Sequence, residues 1–238
     1  VAIKAKLDVE MSSTCYKEYL PELIAEGKVS EAELDEAVER FIRLIDKIGL
    51  YENPMGSMNF EKRDKMVLSK EHREIARKAA QESCVLLKNS GVLPLEKSVN
   101  AVYVGPFADE KGIIGNWSSH GKNDEAVSIK EGVEALIGRK IKTANGVSHL
   151  LDEANLDGID EAVKTACDAD VIVACIGEYQ DNSGEAHSRS DIRTPKAQRK
   201  LVKELHKLGK PIVLVVFGGR PQVLCDVEPY ANAILYVW

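Results

Sequence analysis

The sequence predicts an α/β fold, a mostly parallel six-stranded sandwich over residues 70–238 with helices on both faces of the sheet. Three observations predict it. Short β-branched apolar runs recur through this stretch, and helix-length patterns separate them. The run Val171 to Ile176 is also continuous rather than alternating, as in a strand buried on both faces.

The strand candidates are Val85–Lys88, Ala101–Gly105, Lys140–Asn145, Val171–Ile176, Ile212–Phe217 and Ala233–Trp238. Helical patterns lie at Lys70–Ser83 with Ser69 as N-cap, Ser128–Ile137, Gly158–Ala169 and Pro195–Leu208, with a weaker one near Pro221–Pro229. Thr194 is the expected N-cap of the helix that Pro195 opens, because proline suits the first helical position.

Ahead of this region Leu7 to Met11 has the composition of a short strand, followed by a helix from about Tyr16 to Glu26 that Gly27 ends. Ser30 and Glu33 form a capping box, and Leu34, Val38, Phe41, Ile45 and Ile48 recur at helical spacing until Gly49 closes the helix. A strand and two helices over residues 1–50 cannot close a core, and a lone strand has no sheet to join. Tyr51 to Ser69 carries Gly, Pro, Asn and Met without a clear period, and is expected to be an interdomain linker.

The 238 residues hold one domain, or one and part of another, and 44% hydrophobic with 29% charged residues is an ordinary globular balance. A net charge of −6 without a basic cluster argues against a nucleic-acid partner. No apolar run approaches the roughly 18 residues of a membrane span. Cys15, Cys84, Cys167, Cys175 and Cys225 are scattered and show no CxxC spacing, so buried free thiols are expected rather than a disulfide framework or a zinc site. The first residues do not form a secretory signal, and the compartment stays open.

Chemistry-bearing residues concentrate in Ile176–Pro195, IGEYQDNSGEAHSRSDIRTP, which holds Glu178, Asp181, Glu185, His187, Arg189, Asp191 and Arg193. A loop at the carboxyl end of a buried parallel strand is where open α/β sheets place ligands. Glu185 stands beside Gly184 and Ala186, so a substrate could approach it closely. On chemistry alone two readings stand, a general acid/base and a solvated polar loop. Arg189 and Asp191 are expected to pair and shape the loop, the alternative being two separately solvated charges. His187 has no metal-ligand partner at useful spacing. Trp117, in GIIGNWSSHG after the second strand, could stack on a sugar face or pack structurally. Phosphate-binding GxxxxGK(S/T) and GxGxxG patterns are absent, as is the GxSxG of serine hydrolases. Gly218-Gly219-Arg220 is expected to be a tight turn into a helix, with an anion site at that helix start as the alternative.

SGEAHSRSDI, the TP..Q..L helix start and KPIVLVVFGGRP together resemble the second domain of glycoside hydrolase family 3, the β-glucosidase and β-xylosidase group. LDVEMSSTCYKEYLPELIAEGKVSEAELDEAVERFIRLIDKIGLYENP is similar to the last strand and helices of that family's (β/α)8 barrel. The resemblance therefore implies a C-terminal barrel remnant over residues 1–50, a linker over 51–69 and an α/β sandwich over 70–238, with the beginning of the protein and the end of the sandwich outside this chain. It implies a retaining exo-acting β-glycosidase in which Glu185, at the glutamate of the family's E-A-x-S-R motif, is the general acid/base.

The family's nucleophile is an aspartate in a Ser-Asp pair followed by Trp, His or Phe on an earlier barrel strand. Ser190-Asp191 lies in the wrong context, so no nucleophile is expected in this chain and the chain alone is expected to be inactive. Trp117 would line the aglycone side, and Met11 and Ser12 would occupy the mouth of the last barrel strand. The resemblance implies no cofactor and no metal. The partners it implies are a carbohydrate (β-glucoside, cello-oligosaccharide or xyloside) and the rest of the barrel. Two competing readings are a relative that binds sugar or serves as a scaffold without catalysis, and a flavodoxin-like nucleotide or flavin binder suggested by the sheet pattern alone.

Overall fold

The structure is a computed structural model and describes residues 2–56, 58–151 and 155–238. The chain divides into two compact units, Val1–His72 and Arg73–Trp238.

In the second unit the six expected strands form one sheet: β1 (Val85–Asn89), β2 (Ala101–Val104), β3 (Lys142–Ala144), β4 (Val171–Gly177), β5 (Ile212–Phe217) and β6 (Ala233–Tyr236). Their order is β1-β6-β5-β4-β2-β3, with every pair parallel except the antiparallel β1–β6 edge. β4 and β5 are buried along their whole length because alternate side chains enter two different cores. Ile172, Ala174 and Ile176 join Leu214 and Val216 under helices α6 (Ile159–Ala166) and α7 (Lys196–His206). Val173, Cys175, Val213 and Val215 face the other way, under α5 (Ile129–Ile137) and the Val92–Val99 segment. β3 is shorter than the expected Lys140–Asn145 because it lies at the sheet edge and pairs with β2 alone.

The chain runs from β2 outward to β3 and then returns to β4 on the other side of β2. The switch point therefore falls between the carboxyl ends of β2 and β4, where open α/β sheets form their binding crevice.

In the first unit, helices α1 (Cys15–Ala25) and α2 (Glu31–Lys47) form as expected, and α2 carries the Ser30–Glu33 capping box. One expectation fails here, and one stretch holds more structure than its sequence suggests. Leu7–Met11 is not a strand, since no strand among the described residues of this unit can pair with it. It is held instead by side chains: Arg40 grips Asp8 through two bonds of 2.8 and 2.6 Å, and these hydrogen bonds hold the Asp8 carboxyl below its usual range. The stretch 51–69 is not wholly irregular, because it contains α3 (Phe60–Met66). That helix buries nothing, so it leaves no apolar period in the sequence; the Asn59 cap and the Lys65–Glu61 pair at 2.7 Å support it. Helix α4 (Lys70–Ser83) spans the division between the units, and Ser69 Oγ accepts from the His72 N–H at 3.3 Å.

Further corrections concern the second unit. Pro195, not Thr194, occupies the N-cap of α7, and the Thr194 hydroxyl is buried without a hydrogen-bond partner. Pro221–Pro229 is not a helix; its backbone pairs with the Asp191–Thr194 segment through Val223 N–H to Ile192 O, and a single 3-10 turn follows at Glu228–Tyr230. Of the free thiols, Cys175 is buried and desolvation pushes it up to about 12, while Cys15, Cys167 and Cys225 are exposed and Cys84 is half-buried. The expectation of buried thiols therefore holds at the β4 strand, where both faces are covered, and not at the surface positions.

Candidate active-site loop at the sheet switch point

Three loops converge beyond the carboxyl ends of β2, β4 and β5, carrying Trp117, Glu185 and Arg220 respectively. The β4 loop starts from a fixed point. Gln198 of α7 is fully buried, and its side-chain amide grips the Gly177 peptide from both sides, accepting from Gly177 N–H at 2.7 Å and donating to Gly177 O at 3.0 Å. The next residue, Glu178, has a fully buried carboxylate that receives Arg189 Nη1 and lies 3.2 Å from Arg220 Nε. The Arg220 contact is an ion pair without hydrogen-bond alignment.

Arg220 in turn donates through Nη2 to the carbonyls of Asn182 and His187, the latter at 2.8 Å. These two carbonyls flank the tip, residues 183–186. Gly184 has φ +125, where a side chain is strained, and a Cβ there would stand 2.7 Å from Asn116 Oδ1. The tip therefore rests against the neighbour of Trp117. On its other side Ser183 occupies the space that a Cβ at Gly219 would need. Ala186 adopts left-handed backbone at φ +61, a strain of about 1–2 kcal/mol for a residue with a Cβ.

Glu185 itself is exposed, and among the described residues its carboxylate has no hydrogen bond or ion pair. A carboxylate left open at the tip of a pinned loop is available to an incoming group. Trp117 is 70% exposed, so its indole is not committed to the core. The two loops are also tied by Gln180 Nε2 donating to Asn123 Oδ1 at 3.4 Å.

The expected pairing of Arg189 with Asp191 does not form. Arg189 turns inward to the buried Glu178, whose desolvated charge needs a partner, and Asp191 pairs with Arg193 at 2.9 Å. The Arg193 hydrogen bonds lower the Asp191 carboxyl to about 2. His187 is exposed, and no metal-binding group of His, Cys, Asp or Glu occurs among the described residues. Met11 and Ser12 are exposed residues of the first unit, with Ser12 in left-handed backbone at φ 64. Gly218-Gly219-Arg220 does not open a helix. Its role is to let Ser183 approach and to send Arg220 under the tip.

Sequence reasoning missed Gln198 as part of this site, and it named Glu178 only as one charge of the loop and Arg220 only as part of a turn, without the ion pair that joins them. A charged residue directly after a fully apolar strand was the available signal for Glu178. A cleft of about 720 Å³ lies elsewhere. Asp109, Glu110, Asn145, Ser148 and Glu161 are among its lining residues, and Glu185 and Trp117 are not.

Residues 84–238 match the Glycosyl hydrolase family 3 C-terminal domain. The chain belongs to glycoside hydrolase family 3. Over its full length it is 38% identical to the periplasmic β-glucosidase of Salmonella typhimurium and 27% identical to a β-xylosidase of Formosa agariphila, covering 34% and 35% of those proteins. Among solved structures, β-glucosidase from Listeria innocua in complex with isofagomine superposes with a TM-score of 0.88 at 34% identity, over all of this chain and 33% of that one. A mutant of the same enzyme in complex with laminaribiose gives 0.87 at 35% identity, over all of this chain and 32% of that one. The chain thus spans about a third of the length of the relatives it matches. No described helix is long and apolar enough to cross a membrane.

Proposed function

We propose that Glu185 is the general acid/base of a retaining exo-acting β-glycosidase, and that residues 1–50 are the end of a (β/α)8 barrel whose remainder holds the sugar and the nucleophile. The observation that carries this reading is the open carboxylate of Glu185 on a loop pinned at the switch point of a family 3 sandwich. In such a reaction Glu185 donates its proton to the leaving oxygen as the nucleophile attacks the anomeric carbon. The resulting carboxylate then takes a proton from the water that releases the sugar. Gly184 and Ala186, with small or no side chains, leave room for the leaving group, and Trp117 offers a face for it to stack on.

The exposed apolar stripe of α2 and the unpaired Leu7–Met11 segment support the barrel reading, since both await a partner surface. Met11 and Ser12 would then lie at the barrel mouth. Relatives named β-glucosidase and β-xylosidase point to a glucoside or xyloside as substrate. Without a nucleophile, this chain alone does not turn over aryl β-glycosides.

The test is Glu185→Ala in the complete protein, assayed on dinitrophenyl and phenyl β-glycosides with and without azide. Turnover of the phenyl substrate, whose leaving group needs the proton, falls about 10²- to 10⁴-fold. The dinitrophenyl substrate retains its first step, and azide yields the β-glycosyl azide. An equal fall in kcat/KM for both substrates would refute the assignment.

A further inference from the structure

We propose that Glu178 and Arg220 are positioning residues for Glu185, acting together as a buried strut that fixes the separation of the two stems of its loop; this rests on Glu185 being the acid/base. The geometry has three links. Arg220 Nη2 donates to both Asn182 O and His187 O, so one planar guanidinium spans the base of the tip that bears Glu185. Its Nε lies 3.2 Å from Glu178 Oε2, while Glu178 Oε1 receives Arg189 from the descending stem. Glu178 follows directly on Gly177, whose peptide Gln198 grips, so the strut stands on the rigid end of β4.

A buried carboxylate between two guanidinium groups is a poor way to stabilise a fold, because desolvation of the charges consumes most of their attraction. Its value is directional. The planar guanidinium fixes the directions in which Nη2 donates to the two carbonyls while its Nε faces Glu178, a combination that a single, freely rotating lysine ammonium cannot reproduce. Proton transfer depends steeply on the placement of the acid, and a shift of about 1 Å can cost about 10²-fold. The Gly219 approach to Ser183 supports the same base from the other side.

The experiment compares wild type, Arg220→Lys, Glu178→Gln, Glu185→Ala and the double variant Arg220→Lys/Glu185→Ala in the complete protein. Each is assayed on phenyl and dinitrophenyl β-glycosides, with melting temperature recorded. Arg220→Lys is expected to lower kcat/KM on the phenyl substrate by about 10- to 100-fold and on the dinitrophenyl substrate by less than about threefold. Glu178→Gln is expected to show the same split; if it fails to fold, Arg220→Lys decides alone. In the Glu185→Ala background, Arg220→Lys adds no further loss on the phenyl substrate, because its effect passes through the missing carboxyl.

A fall of equal size on both substrates, no fall on either, or a full additional loss in the double variant would overturn the strut. If Glu185→Ala itself fails to separate the two substrates, the acid/base assignment falls and the strut with it. If Glu185→Ala separates them and Arg220→Lys does not, only the strut falls.

Discussion

Helix α2 of the first unit and helix α7 of the second carry similar amphipathic patterns, yet they end in different surroundings. Leu201, Val202 and Leu205 of α7 are completely buried against the sheet. On α2, Val38, Phe41 and Leu44 are 44–54% exposed, and the buried apolar set of that unit is Ile3, Leu20, Val29 and Ala37. Periodicity thus announces that a face expects a partner and says nothing about whether the partner is present. In the second unit the central strands and α7 find their partners within the unit, while Leu86 and Leu87 of β1, Ile75 of α4 and Leu136 of α5 remain more than half exposed.

Paired truncations would sharpen this contrast most. Leu214→Ala removes a fully buried side chain from the centre of the sheet and is expected to cost about 2–5 kcal/mol. Phe41→Ala, in this same chain, is expected to change stability by no more than about 0.5 kcal/mol. Hydrogen exchange read separately on the amides of each unit checks both, and a large loss from Phe41→Ala would show that α2 is already packed.

Gln198→Ala comes next. It removes both bonds to the Gly177 peptide and leaves a buried N–H and C=O unpaired, at about 1–3 kcal/mol for each orphaned group. The matching change on α2, loss of the Ser30 cap, touches a helix end that water can reach. Urea unfolding of Gln198→Ala that matched wild type would break the claim that the second unit is anchored from within.

The smallest effect concerns acid. Asp191 falls from its ordinary 3.8 to about 2 through the Arg193 hydrogen bonds. The unfolded chain therefore binds this proton first as pH drops. The contribution is complete above about pH 4 and is lost as pH falls through about 2. Carboxyl carbon shifts of Asp191 followed by NMR should show a midpoint near 2, and Arg193→Asn should return it toward 3.8.

All six strands were legible: a strand buried on both faces must be apolar throughout, as Val171–Ile176 and Ile212–Phe217 announce, and the less buried edge strands β1 and β3 were placed by their regular alternation with helical patterns. The capping box at Ser30 was legible because it is local, linking residues three apart. Leu7–Met11 misled because a strand is a property of a pair, and α3 was hidden because a helix that buries nothing leaves no period. Glu185 stood out through its motif and its small neighbours.

By itself the sequence determined the order of elements, the two-sided burial of the sheet and the loop on which the chemistry is proposed, since each depends on residues near one another along the chain. The tertiary structure alone decided that Arg189 turns to Glu178 rather than Asp191, and that Arg220, carried by the loop after another strand, bridges Asn182 and His187. A buried charge selects its partner by proximity in space and by what water can no longer reach, and neither is written in the spacing of residues along the chain.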